Sequence, residues 1–331
     1  MSEAWAKLEG HAVNGVFPLL RHLGGSNHSV VFLTESAKFA RAELALKLVS
    51  SVPALAQLQL ARWRASAALT HPRLIEIFEV GECQIGSRHF LYMVTDYADQ
   101  NLAQLLERRV LTEDETREMM APVLDGLAFL HERKLVHGRL KPSNVLVVAD
   151  QLSLASDTIR PMSGTARTSN AMSAYMPPEA LDGTRTAASD VWALGVTLCE
   201  ALTRQQPSGL LTGEMVLPPE LSPAFRGVVT RCLNRRARDR PTVNELQVWC
   251  RGAQLVASLS ASGKHRALPD AASRASALEV IDDSGQQAPV GAGAGDGAVN
   301  SAPKFSMGLV LLAILGALTL FVVGWAAIRS F

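Results

Sequence analysis

Leu135 to Val147 reads LVHGRLKPSNVLV. Apolar ends frame a polar centre whose only charges are Arg139 and Lys141, with no carboxylate in the run. Just beyond it, Leu152 and Leu154 of LSLASDTI keep the alternation of a strand that leads into Ser156-Asp157-Thr158. Upstream, Thr112 to Glu115 has the form of a capping box, and Met120, Val123, Leu127 and Leu130 follow at helical spacing. Downstream, Ser189 to Leu202 is a nearly all-apolar helix pattern that belongs at the centre of a core. Nearer the start, AELALKLVS from Ala42 to Ser50 alternates, so Ala45 and Lys47 share one face and Leu44, Leu46 and Leu48 the other. Strands first and long helices later is the α+β order of one domain with unlike halves.

The run 135–147 resembles the catalytic loop of protein kinases of the bacterial and eukaryotic Ser/Thr (Hanks) type, whose pattern is H-R-D-L-K-P-x-N. Other stretches fall in the order of that family. They are a glycine-containing turn from Leu23 to Phe32, the strand lysine Lys47, His71-Pro72, and the hinge-like Val94-Thr95-Asp96-Tyr97. After these come Tyr175-Met176-Pro177-Pro178-Glu179, Ser189-Asp190-Val191-Trp192 with Gly195, and Arg240-Pro241. The resemblance implies an α+β, two-lobed protein-kinase-like domain over residues 10–252, with a β-rich lobe to about residue 96 and a helical lobe from about 97.

The family's chemistry is positioning plus charge neutralisation: a glycine-rich loop over the phosphates, a strand lysine held by a helix glutamate, two metal ligands and an aspartate base. On that pattern Gly24 and Val31 match the loop, but Ser26 and Ser29 replace its later glycines. Lys47 matches the lysine, yet no acidic residue lies between Leu44 and Ile75, and Arg62 stands about where the glutamate would fall. His137, Lys141 and Asn144 match the catalytic loop, while Gly138 and Arg139 occupy the Arg and Asp positions. Arginine cannot act as the base, and general-base assistance is typically worth about 10² to 10⁴ in rate. Gapless alignment puts Ser156, Asp157 and Thr158 on the metal-binding D-F-G; a one-residue shift would make Asp157 the ligand, and the strand alternation favours the gapless register. In that register Asp157 stands where an apolar side chain would link the lobes, and Asn144 is the remaining metal ligand or else a brace for its loop. Met172 takes the place of an activation-segment threonine.

The structural positions match throughout. Glu179 and Arg240 are implied to form a buried ion pair, Asp190 to brace the catalytic-loop backbone, and Val31, Ala45 and Leu146 to sandwich an adenine ring. The resemblance therefore implies ATP as the nucleotide and leaves magnesium short of its usual ligands. Thr158, Ser163, Thr165, Thr168, Ser169 and Ser173 are candidate phosphate acceptors or plain loop polarity. Arg231, Arg235, Arg236, Arg238 and Arg240 read as a surface for anionic lipid, or as a solvated helix end with Arg240 buried in its pair.

The remaining chain has another character. Residues 253–304 are rich in Gly, Ala, Ser and Pro and read as a flexible linker. Within 305–329, Met307 to Ile328 holds 22 residues without a charge, roughly 33 Å of helix, enough to cross a bilayer. The opening MSEAWAKLEG lacks an apolar signal core. The expected protein is thus a single-pass tail anchor with its domain at the cytoplasmic face. Across 331 residues, 32 Lys and Arg against 31 Asp and Glu leave a formal charge of +1, which argues against nucleic acid as a partner. Cys83, Cys199, Cys232 and Cys250 form no CxxC pair and read as buried thiols. Two functions follow: a pseudokinase that works as a signalling or scaffolding module with other signalling proteins or kinases as partners, or an active Ser/Thr kinase with a rearranged site that uses Asp157 for metal.

Overall fold

The computed structural model describes residues 5–252 apart from 6, 40, 51–52, 164–172 and 211–212. The expected linker 253–304 and membrane helix 305–329 lie outside the described residues, as do Met172, Thr165, Thr168 and Ser169. Among the described residues no helix is long and apolar enough to cross a membrane.

The first half is a sheet. After the short hairpin of β1 (Ala12–Val13) and β2 (Phe17–Pro18) come β3 (Arg21–Gly25), β4 (Ser29–Thr34) and β5 (Leu44–Ser50). Helix α1 (Pro53–Ala67) then precedes β6 (Ile77–Ile85) and β7 (Arg88–Asp96). The five long strands form an antiparallel sheet in the order β3-β4-β5-β7-β6. Period-two alternation sorts its faces: Leu44, Leu46 and Leu48 are fully buried on the side covered by Trp5, Val13, Phe17 and Leu19, while Ala45 and Lys47 are half-buried on the other. On α1, Ala56, Leu60 and Trp63 recur at helical spacing and pack against Ile77, Leu91 and Met93 of the sheet.

The second half is mainly helical. It runs through β8 (Gln100–Asn101), α2 (Leu102–Leu106), α3 (Glu113–Glu132), β9 (Leu135–Val136), β10 (Val145–Val148), β11 (Gln151–Leu154), β12 (Arg160–Pro161), α4 (Ala187–Thr203), α5 (Pro223–Cys232) and a helix α6 over 243–252. Thr112 caps α3: its hydroxyl accepts from the Glu115 amide, and the Glu115 carboxylate accepts from the Thr112 amide. Met120, Val123, Leu127 and Leu130 are buried along one face of α3, and twelve residues of α4 are buried, so α4 is the central helix. Strands β10 and β11 pair as a hairpin against β8, and β9 pairs with β12. Those two small sheets carry the 135–147 run and the segment after it, and set both at the edge of the larger sheet's open face.

Candidate active-site cleft

Strand pairing places the cleft lining. Val31 lies opposite Lys47 across β4 and β5, Leu33 opposite Ala45, and Lys47 opposite Met93 on β7. Val31, Ala45 and Lys47 are half-buried, as is Leu146 on β10. Three small or branched apolar side chains beside an ammonium suit a flat apolar ring that carries a phosphate chain.

The turn above them is tight. At Gly25 an added Cβ would lie 2.5 Å from the Ser29 carbonyl oxygen, so only glycine fits there. The Ser26 amide donates to the Ser29 carbonyl at 2.7 Å, the two hydroxyls are 3.1 Å apart, and the His28 amide reaches the Ser26 hydroxyl at 3.3 Å. Trp5 Nε1 donates to the Ser26 carbonyl at 3.1 Å. The serines at the family's later glycine positions therefore tie the turn to itself, and the Ser26 and His28 amides already have acceptors. Gly24, at the first glycine position, lies on β3 opposite Val31.

Lys47 makes its close contact away from α1. Its Nζ lies 2.5 Å from Asp157 Oδ2, with the lysine side chain 27% and the aspartate 13% exposed. Burial opposes the charged carboxylate, but the Lys47 ammonium and its hydrogen bond outweigh that and hold Asp157 below the usual carboxylate range. This corrects the register favoured by strand alternation. Ser156 is buried and donates through Oγ to the Ile75 carbonyl at 2.7 Å, so Asp157, and not Ser156, faces the lysine. Neither does Asp157 occupy an apolar link between the lobes. Trp63 is tied to this segment by a hydrogen bond, its Nε1 donating to the Asp157 carbonyl at 3.0 Å. Sequence reasoning misses Trp63; its signal is an indole one residue after the arginine at the glutamate position.

The catalytic-loop counterpart is held from below by Asp190, 1% exposed. Its carboxylate accepts the His137 and Gly138 amides at 2.8 Å each and lies 2.9 Å from His131 Nε2. His137 is fully buried, and burial lowers its pKa and keeps the ring neutral. Gly138 has φ +75°, and a Cβ there would sit 3.3 Å from the Thr158 carbonyl. Asn144 donates through Nδ2 to the Arg139 carbonyl at 2.7 Å, which braces the loop. Further down, Arg240 donates to both Glu179 oxygens at 2.6 and 2.8 Å, and its side chain is wholly buried over the Trp192 ring.

At the place of the base, the Arg139 side chain is exposed beside half-buried Lys141. Together with Arg160 and Arg185 these line a cavity of about 160 Å³ between the loop and residues 173–193. Asp190 is its one acidic lining residue, and both its oxygens are already engaged. Burial, and after it the charges of Arg139 and Lys47, lowers the Lys141 pKa. Among the described residues no group of three His, Cys, Asp or Glu comes together to hold a metal. Magnesium is usually held by one or two carboxylates plus substrate phosphates. Asp157 Oδ2 is taken by Lys47, so Asp157 would serve as such a carboxylate through Oδ1, while Lys47 would meet a nucleotide's phosphates.

The protein kinase domain model matches residues 17–248, and the chain belongs to that family. Over 180 residues it is 31% identical to the inactive serine/threonine-protein kinase PLK5 of Mus musculus, a match that covers 49% of this chain and 30% of that protein. It is 28% identical over 216 residues to the serine/threonine-protein kinase PrkC of Bacillus subtilis, covering 60% of this chain and 32% of PrkC. It is also 27% identical over 232 residues to the MAP kinase kinase skh1/pek1 of Schizosaccharomyces pombe, 60% of this chain and 62% of the other. The chain spans less than two thirds of the length of each of these relatives.

Proposed function

We propose that this chain is a catalytically impaired kinase, a pseudokinase of the bacterial Ser/Thr type that works as a signalling or scaffolding module and keeps a slot for ATP. The observation that carries the reading is Arg139. An exposed guanidinium takes the place of the base, beside Lys141, and the cavity it lines offers a hydroxyl no carboxylate that is not already engaged. A basic substrate would be repelled there, and among the described residues that line the cavity none would take its proton. The likeness to an inactive kinase supports the same reading. We further propose that residues 305–329 anchor the protein in a membrane with this domain on the cytoplasmic side, where other signalling proteins, kinases among them, are its partners. The uncharged run from Met307 to Ile328 supports the anchor.

The test uses the full chain in detergent. ATP should raise the thermal midpoint, Lys47→Ala should abolish that rise, and no phosphate should pass to protein substrates. The contact between Asp157 and Lys47 favours a second reading, an active kinase that recruits Asp157 for its metal. Magnesium-dependent transfer that disappears in both Asp157→Asn and Lys47→Ala would establish that second reading and end the first.

A further inference from the structure

The cavity beside Arg139 has a use of its own. It is bounded by the catalytic-loop counterpart below, β12 on one side and residues 173–193 on the other. Four cationic side chains line it: Arg139, Lys141, Arg160 and Arg185. They come from three stretches of chain, Arg139 and Lys141 from one loop and Arg160 and Arg185 from two others, so the fold gathers them. Among the described residues no carboxylate stands within ion-pair distance of Arg139, Lys141 or Arg160. Burial, and after it Arg62, Arg185 and Arg139, push the Arg160 guanidinium down to about 10, so it stays charged at neutral pH while crowded by its own kind. Arg185 is lowered by burial and by Arg62 in the same way.

Gathering these like charges in one space costs free energy that Asp157, and for Lys141 also Glu200, offset only in part and from beyond ion-pair distance. A ligand that brought two negative charges would remove that cost. Guanidinium groups present planar pairs of donors that match the oxygens of a phosphate, and lysine adds a point charge. The rest of the wall is mixed: Tyr175, Met176, Pro177, Ala180 and Ala193 are apolar or largely so, Ser173 and Ser189 are polar, and Asp190 is acidic with both oxygens already accepting the His137 and Gly138 amides. Such a wall suits the backbone and neighbours of a peptide better than the hydrated surroundings of a free ion.

We propose that this cavity binds a phosphate monoester dianion carried on a protein, a phosphorylated serine or threonine side chain, so that the position of the lost base has become a receptor for the product of other kinases. The inference goes beyond the pseudokinase reading and rests on it in one respect: a site that still transferred phosphate would have to release such a side chain and not hold it.

The full chain in detergent is titrated with three probes: a short alanine-based peptide bearing one phosphothreonine, the same peptide unphosphorylated, and inorganic phosphate. The phosphopeptide should bind, the unphosphorylated peptide should not, and inorganic phosphate should bind at least about tenfold more weakly for want of the apolar wall. Arg139→Gln, an exposed substitution that leaves the core untouched, should weaken the phosphopeptide by about tenfold or more, the effect of losing one charged hydrogen-bonding pair. Arg160→Gln should do the same, and its thermal midpoint checks that it folds. Equal affinity for phosphorylated and plain peptide, phosphate binding as tight as the phosphopeptide, or binding unchanged in Arg139→Gln would each overturn the proposal. Transfer from ATP to the plain peptide in the same preparation is scored separately; it would sink the impaired-kinase reading, whereas failed phosphopeptide binding without transfer sinks only this one.

Discussion

The contact between Lys47 and Asp157 yields the most demanding prediction, because it bears both on the stability of the cleft and on the proposed binding of a nucleotide's phosphates. Two unit charges about 4 Å apart attract by about 4 kcal/mol at an effective dielectric constant of about 20. Here the nitrogen and oxygen are 2.5 Å apart, and the side chains are 27% and 13% exposed, so part of that attraction is offset by desolvation. A double-mutant cycle with Lys47→Met and Asp157→Asn should leave a coupling energy of about 1–3 kcal/mol. For a unit of this size about 1 kcal/mol moves the thermal midpoint by about 2–4 °C. The double variant should therefore melt about 2–12 °C above the sum of the single effects, measured by scanning calorimetry on the full chain in detergent. The pH dependence has a fixed sign. Asp157 is depressed in the folded state, so its stabilisation is complete above the unfolded value near 3.9 and fades as pH falls through the lower folded value. Asp157→Asn should lack that acid limb. Additivity within about 0.5 kcal/mol, or an acid limb unchanged in Asp157→Asn, would refute the assignment of Asp157 as the partner of Lys47.

Further predictions rest on the same geometry. Without magnesium, Asp157→Asn should bind ATP more tightly than the parent chain, since the carboxylate beside Lys47 no longer repels the phosphates; a thermal-shift titration reads this. Glu179→Gln should destabilise by about 3–5 kcal/mol, because it strands a guanidinium whose side chain is wholly buried, and denaturant titration checks it. Gly138→Ala should cost about 1–2 kcal/mol, from a left-handed backbone at φ +75° and a Cβ placed 3.3 Å from the Thr158 carbonyl. Cys83 and Cys199, pushed up to about 11, and Cys232, pushed up to about 12, should resist a thiol reagent at pH 8 until the chain is unfolded, and fast labelling of the native protein would contradict their burial.

Much of this molecule is legible in its amino-acid sequence. Alternation along Ala42 to Ser50 divides the strand into a buried leucine face and a cleft face with Ala45 and Lys47, because successive side chains of an extended chain must point to opposite sides. The capping box at Thr112 and Glu115 marks the start of α3 for an equally local reason: two side chains meet amides that a helix leaves without partners. The cationic character of Arg139, on which the proposed loss of the base rests, is likewise a matter of residue identity that no packing can reverse.

Tertiary structure alone decides which residue faces Lys47. Beyond Leu154 the chain leaves its strand, and alternation no longer tells which side chain turns inward. The choice falls to contacts from afar, the Ile75 carbonyl that takes the Ser156 hydroxyl and the Trp63 indole that donates to the Asp157 carbonyl. The cationic cavity is of the same kind. Arg139, Arg160 and Arg185 are ordinary as separate letters, and they become a site because β12, the loop after β9 and the approach to α4 converge on one small space. Local sequence determines what each strand and helix is, since those depend on neighbours a few residues apart; which distant charges come to face one another depends on how the elements pack.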